Sequence, residues 1–247
     1  MDELARFLWY PTQMPAFPPM NFRSFYEAFN EPIGNFDCGE KCAPYNEKLV
    51  PFCCDTYHIV PTAYLSEWEY LKNHTNLWHT WRPKASDEAE ELRQQAPSDQ
   101  VLIECLGHKL CQRTFRTIAC RAFPFFPYID HNEKFVGISY YVEYSELCWV
   151  ISNLDYVTPA YCQAFHDAYM QIFKYFPDEK DNFNYYSRQL RISHQRKDLS
   201  ITILDEQGVI YIISPTNGRK RKSTSEDLPK FGNYEIADML PFPDEID

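Results

Sequence analysis

The chain has 247 residues, of which 45% are apolar and 17% aromatic, and its formal net charge is -11. This length and apolar content are enough for a packed core. The charge argues against a broad nucleic-acid surface, because phosphate binding requires clustered Lys and Arg. Neutral or basic partners, an unknown protein partner among them, stay open. No run approaches about 18 consecutive apolar residues, so no membrane-spanning helix is expected.

The first third of the chain predicts an arm followed by two helices. Residues 1–35 are rich in Pro and aromatic residues and predict an N-terminal arm, with a short helical turn at FRSFYEAF. Apolar residues at helical spacing just after Pro61 predict a helix over residues 62–73. Acidic residues in a first turn predict a solvated helix over residues 85–96, with Ser86 as its N-cap.

The rest of the chain combines strand and helix patterns. Short β-branched or aromatic runs predict strands at residues 101–105 and 134–144. A longer helix is predicted over residues 158–176, with Pro159 near its first turn and Pro177 just past its end. LSITILDEQGVIYIIS predicts a hairpin, and the polar tail from Asn217 predicts a loop or partial disorder. Together these elements predict an α+β fold.

Nine cysteines stand out in this composition, and four of them lie within FDCGEKCAPYNEKLVPFCCD, residues 36–55. The start MDELARFLWY lacks the basic stretch and apolar core of a secretory signal, which predicts a cytoplasmic protein. Thiols stay reduced there, and clustered ones more often bind metal or do redox chemistry than form disulfides. Cys162 lies inside the predicted long helix and is interpreted as a core thiol.

Several common site motifs fail at single positions. A Cys-x3-Cys-x2-Cys radical site would need cysteine where Tyr45 stands, and a phosphate-binding loop is broken by Glu40 and Lys41. H-E-x-x-H, G-x-S-x-G and G-x-G-x-x-G motifs do not occur in the sequence. The patterns typical of zincins, serine hydrolases and dinucleotide-binding proteins are therefore missing from it.

The adjacent Cys53 and Cys54 raise a geometric question. In an extended chain the side chains of neighbouring residues point to opposite faces. Two such thiols would not reach one ion without a local kink. The sequence therefore predicts that they belong to two sites, or that one is a ligand and the other an exchange partner.

A resemblance to a known family comes from ECLGHKLCQRTFRTIACRAFPF, residues 104–125. This stretch contains Cys-x5-Cys and then Arg-x3-Cys-Arg-x-Phe-Pro-Phe. With the upstream Cys-Cys pair and a later lone cysteine, it resembles the YkgJ-like cysteine-cluster family, also called the zinc- or iron-chelating CxxCxxCC domain. The resemblance covers residues 36–150. It departs from the family in the ten residues between Cys42 and Cys53 and in Thr117, where the family has proline.

The resemblance implies a metal or iron–sulfur centre held by thiolates. Carried over by position, the ligands would be Cys38, Cys42, Cys53, Cys54, Cys105, Cys111, Cys120 and Cys148. Arg116 and Arg121 would lie beside the centre and donate to its sulfur atoms. The absence of a Cys-x2-Cys knuckle, common in structural zinc sites, slightly favours an iron–sulfur cluster over zinc.

Other readings stay open beside this one. His58, His108 or His131 would be able to replace a thiolate. One branch of the family is fused to protein-lysine methylation, so a redox or protein-modifying enzyme is an alternative, and a thiol redox switch is another. Residues 36–155 are predicted to be the metal-binding core, with the C-terminal helix and hairpin of residues 156–247 packed on it.

Charged residues outside the cysteine segments are interpreted as surface. Glu143, Glu146 and Asp155 have no accompanying nucleophile and predict solvated positions rather than acid–base catalysts. The basic run GRKRK, residues 218–222, is flanked by polar residues and predicts an exposed loop rather than a nucleic-acid patch.

Overall fold

Two antiparallel sheets and the helices packed on them make up the part of the chain that the computed structural model describes, residues 20–82 and 87–237. The helices are α1 (Phe22–Ala28), α2 (Gly39–Cys42), α3 (Leu65–His74), α4 (Asp87–Gln95), α5 (Ile118–Ala122), α6 (Trp149–Ser152), α7 (Pro159–Tyr175), α8 (Pro177–Arg196) and α9 (Asn233–Ala237). The strands are β1 (Thr62–Tyr64), β2 (Trp78–Thr80), β3 (Gln100–Cys105), β4 (Phe125–Ile129), β5 (Phe135–Tyr140), β6 (Ile201–Leu204), β7 (Ile210–Ile213) and β8 (Lys220–Lys222). The predicted α+β class is confirmed.

The larger sheet is an antiparallel meander in the order β4-β5-β6-β7-β8. All five residues of β4 are buried, which explains its continuous apolar and aromatic sequence FFPYI. The predicted hairpin is confirmed as β6 and β7, joined by a turn in which Gly208 has a positive φ of 74°. The strand predicted over residues 134–144 is shorter, because residues 142–144 form a 3-10 turn.

The smaller sheet has β3 between β1 and β2. The strand predicted at residues 101–105 is confirmed. The helix predicted over residues 62–73 begins later, at Leu65, because residues 62–64 pair with β3. The tertiary pairing with β3 overrides the helical pattern at these three residues.

The two long helices, α7 and α8, are separated by a single residue, Phe176. The predicted helix over residues 158–176 is confirmed as α7, with the Thr158 side chain accepting a hydrogen bond from the Tyr161 backbone N–H. Pro177 lies just past the end of α7, as predicted, and it is also the first residue of a second helix, α8, which the sequence did not predict. Proline suits that place, since the first N–H of a helix has no partner within the helix.

The core includes part of the predicted N-terminal arm. Phe22, Phe25 and Phe29 are buried in or directly after α1, and the Phe29 ring meets the rings of Tyr161 and Phe165 on α7. Residues 1–19 of the arm lie outside the described residues, as does the N-cap predicted at Ser86. The solvated helix predicted there is confirmed over α4.

The tail from residue 217 was predicted to be a loop or partly disordered, and this is wrong for two segments of the described residues up to 237. Residues 220–222 form the edge strand β8, whose side chains are exposed, and residues 233–237 form α9. Tyr234 is 2% exposed, and its hydroxyl donates to the Leu147 carbonyl at 2.8 Å. These contacts hold the tail to the body of the protein. No helix among the described residues has the length and apolar character needed to cross a membrane.

Candidate functional site: a cysteine-lined cavity

One cavity of about 760 Å³ collects the thiols that the sequence grouped together. Its lining includes Cys38, Cys42, Cys53, Cys54, Cys105, Cys111, Cys120 and Cys148. They come from α2, a 3-10 turn at residues 52–54, the end of β3, the loop before α5, α5 itself and the start of α6. The remaining cysteine, Cys162, is fully buried on α7, which confirms its interpretation as a core thiol.

Local backbone structure brings several of these thiols to the cavity. Cys38 and Cys42 are four residues apart at the two ends of α2, which places them on one face of the helix. Gly107 turns the chain directly after β3 with a φ of 96°, and its N–H donates to Cys105 Sγ at 3.4 Å. Thr117 accepts a hydrogen bond from the Cys120 N–H at 3.1 Å as the N-cap of α5. That cap gives Thr117 a structural role at the position where the YkgJ-like pattern has proline.

Cys53 and Cys54 do not lie in extended chain, so the premise that their thiols point to opposite faces is wrong. Both belong to the 3-10 turn Phe52–Cys54, and both line the cavity. Each thiol changes the acidity of the other: the pKa of Cys53 is raised and that of Cys54 is lowered. A tight turn therefore brings the two neighbouring thiols together.

Burial sets the acidity of most of these thiols. It raises the pKa of Cys38 and of Cys120 to about 12, and it raises the pKa of Cys148 as well. Cys54 differs, because the neighbouring Cys53 thiol and the charge of Arg116 hold its pKa below the usual thiol value. Cys54 is thus the thiol with the strongest thiolate character among these four.

This difference predicts which thiol reacts first. In metal-free protein at neutral pH, iodoacetamide should alkylate Cys54 before Cys38, Cys120 or Cys148, because the thiolate is the reactive form. Peptide mass mapping after short exposures measures the order. Cys53→Ala removes the neighbouring thiol and should slow alkylation of Cys54, whereas an unchanged rate would contradict the assignment.

Several sulfur atoms accept hydrogen bonds from N–H groups. Arg116 Nε donates to Cys111 Sγ at 3.1 Å. The Gly107 backbone N–H donates to Cys105 Sγ at 3.4 Å. Such donors stabilise negative charge on sulfur, as hydrogen bonds do around metal-bound thiolates and iron–sulfur clusters.

Arg121, the other predicted donor to the centre, is engaged elsewhere. Its guanidinium donates to the backbone carbonyls of Tyr26, Phe29, Arg113, Thr114 and Arg116 and to Asn30 Oδ1. It also lies 4.5 Å from the centre of the Tyr26 ring. The structure therefore gives Arg121 a structural position between α1 and the loop before α5, whereas Arg116 contacts a cavity thiol.

The three candidate histidines are distributed differently. His108 lines the cavity. The ring of His58 packs on Phe52 at 5.0 Å and on Tyr57 at 5.1 Å. His131 lies against Gly218, in the turn before β8. His108 is thus the histidine that the structure brings to the thiols.

The thiols share the cavity without forming a ready coordination sphere. Across residues 20–82 and 87–237, no group of three or more His, Cys, Asp or Glu side chains is arranged so that it could hold a metal ion. All nine cysteines, which lie within these ranges, carry free thiols. Thiolates are the ligands that thiophilic metals and iron–sulfur clusters take, so the donor chemistry of the cavity fits such a centre.

The sequence did not indicate the second part of this cavity. Aromatic and acidic residues from α8 and from the segment after β5 continue its lining, among them Tyr141, Glu143, Glu179, Phe183 and Tyr186. Glu143 is exposed, as predicted, and it also borders the cavity, whereas the sequence did not predict any part of a site within residues 156–247. The spacing of Phe183, Tyr186 and Leu190 along α8 was the signal for a helix face directed inwards.

Comparison of the chain with models of protein families, with curated proteins and with solved structures finds no match. The resemblance to the YkgJ-like family therefore stays a prediction. It is carried by residues 104–125 and by the cysteines around them.

Proposed function

We propose that the protein is a metal-binding protein that holds an iron–sulfur cluster or zinc with thiolates of the cysteine-lined cavity. The observation that carries this proposal is the convergence of eight cysteines, from segments up to about a hundred residues apart, on one cavity. Thiols that serve only as small apolar side chains have no reason to collect in this way. Cys162 is such a thiol: it is fully buried and packs as an apolar side chain.

The surroundings of the thiols favour a centre with negative charge. Arg116 and Gly107 supply N–H groups to the sulfur atoms of Cys111 and Cys105, and hydrogen bonds of this kind tune iron–sulfur clusters. This supports the cluster over zinc as the first choice. A bound centre would supply electron transfer or purely structural cross-linking, depending on its type.

Binding would be coupled to proton release and to folding. The buried thiols must lose their protons before they bind metal, since the thiolate is the ligand. Their side chains must also draw together, because they have no ready coordination geometry. Metal-binding free energy would then contribute directly to folding free energy. We further propose a cytoplasmic location, where thiols are kept reduced.

The direct test is purification without oxygen, followed by measurement of iron, zinc and labile sulfide and by an absorption spectrum. Iron with sulfide and a broad band near about 400 nm is the expected result for a cluster. A colourless protein with stoichiometric zinc would select the other centre. Protein purified in this way with neither metal, and unable to take up either one, would sink the proposal.

A thiol redox switch at Cys53 and Cys54 has weaker support. Their neighbouring positions in one 3-10 turn favour it. However, Cα atoms of adjacent residues joined by a trans peptide are about 3.8 Å apart, shorter than the usual disulfide span of about 4.4 to 6.8 Å. A direct disulfide between the two would therefore be strained, and the metal-binding function accounts for the other six cavity thiols as well.

A further inference from the structure

The part of the cavity formed by α8 and by the segment after β5 has a different chemistry from the cysteine part. It is lined by aromatic rings and two carboxylates, and we call it the aromatic end; its residues are Tyr64, Tyr141, Tyr169, Phe183, Tyr186, Glu143 and Glu179. No cysteine belongs to this set. Its ligand chemistry can therefore be considered separately from that of the thiols.

The aromatic rings pack edge to face. Tyr141 and Tyr186 have ring centres 5.3 Å apart at an interplanar angle of 69°, and Tyr169 and Phe183 have centres 5.5 Å apart at 83°. These two pairs therefore line the cavity with rings at steep angles to one another. Ring faces carry the negative part of the aromatic quadrupole and attract cations.

Glu179 places a carboxylate at this end without a cationic partner. It is 5% exposed and accepts hydrogen bonds from Gln100 Nε2 at 3.0 Å and from Asn182 Nδ2 at 3.3 Å. Both donors are neutral, and within the described residues no Lys, Arg or His forms an ion pair with Glu179. Burial raises its pKa accordingly. A buried carboxylate held only by neutral groups would gain from a cation.

Glu143 adds a second carboxylate at the same place. It is exposed, and the Tyr186 hydroxyl donates to its two oxygens at 2.8 Å and 3.1 Å. Burial raises the pKa of Tyr141, and the charges of Glu143 and Glu179 raise it further. The buried carboxylate and the exposed one therefore both act electrostatically on Tyr141.

We propose that the aromatic end binds an organic ammonium cation, with ring faces against its alkyl groups and with Glu143 and Glu179 compensating its charge. An anion would be repelled by both carboxylates. A neutral apolar molecule would cover Glu179 and leave its charge without compensation. A cation satisfies both the rings and the carboxylates, and the inference stands whether or not the cysteine part holds a metal.

The test compares choline with the neutral alcohol in which a carbon atom replaces its nitrogen. The two molecules have the same shape, so their affinity ratio, measured by isothermal titration calorimetry on the full chain, isolates the effect of charge. Choline should bind about tenfold more tightly, in line with cation–π and carboxylate attraction in a desolvated site. Ethanolamine, titrated in parallel, tells whether a primary ammonium is also accepted.

Matched variants locate the site. Glu143→Gln and Glu179→Gln should each reduce the preference for choline over the alcohol by several-fold, while Glu27→Gln, an exposed site on α1, should leave it unchanged. Glu143 is exposed, so its variant tests the proposal even if Glu179→Gln disturbs folding. Equal affinities for the cations and the alcohol, no saturable cation binding up to about 10 mM, or an equal loss in Glu27→Gln would overturn the proposal.

Discussion

Replacing Arg121 by Met should lower the free energy of unfolding by about 4 kcal/mol, because it removes the donors of a buried network. Arg121 is 7% exposed and satisfies five backbone carbonyls as well as Asn30. A buried acceptor that loses its partner costs about 1 to 3 kcal/mol, and the loop before α5 has few other donors to offer. Urea denaturation measures the effect.

The loss of stability in Arg121→Met should exceed that expected from the hydrogen bonds of Arg121 alone. The guanidinium lies over the Tyr26 ring, and the Tyr26 hydroxyl donates to Glu67 at 2.6 Å. Glu67 is 1% exposed, also accepts from the Ile118 N–H at 2.8 Å, and has its pKa raised to about 7 by burial. The network therefore joins α1, α3 and α5, which together position the loop that carries Cys111 and the helix that carries Cys120.

Two variants control this result. Arg23→Met removes a guanidinium whose only described ion pair is an exposed one with Glu27, so its effect should stay within about 0.5 kcal/mol. Arg121→Lys keeps the charge but offers fewer donors from a single nitrogen, and it should recover only part of the loss. If Arg121→Met were no more destabilising than Arg23→Met, the network would not hold these elements together.

The local patterns in the sequence predicted those elements whose signals lie within the element itself. Thr158 and Pro159 mark the start of α7, and the turn at Gly208 marks the hairpin, so both followed from local rules. A proline at this place is compatible with the end of one helix and with the first residue of the next. The local pattern at Pro177 indicated the end of α7 but not the start of α8. Strand β1 is set by its pairing with β3, which a local pattern does not contain.

In the site, too, some features follow from local patterns and others depend on tertiary contacts. The position of Cys162 inside a predicted helix separated it from the other cysteines, whereas the resemblance to the YkgJ-like family supplied the set of eight that lines the cavity. The different roles of Arg116 and Arg121 were not predictable from the sequence, although the two residues are only five positions apart. The fold alone directs Arg116 to a thiol and Arg121 to backbone carbonyls. Glu179 was missed because its burial depends on Tyr64 and Gln100, which are distant in sequence.

Cys120→Ser and Cys162→Ser form a matched pair for the proposed centre. Burial raises the pKa of both thiols to about 12, but only Cys120 lines the cavity. If thiolates hold a metal, Cys120→Ser should remove most of the bound metal and lower the unfolding free energy of the anaerobically purified protein by more than about 3 kcal/mol. Cys162→Ser should keep the metal, and its unfolding free energy should fall by about 1 to 2 kcal/mol because a hydroxyl is buried.

The metal-free proteins should show the opposite order. Without metal, the two substitutions differ only in how well serine is accommodated. Cys162 is fully buried among the apolar residues of α7, whereas Cys120 is partly exposed towards the cavity. Cys162→Ser should then be the more destabilising change, by about 1 kcal/mol. A reversal between the two states ties the stability to the metal. The same order with and without metal would show that Cys120 is not a ligand.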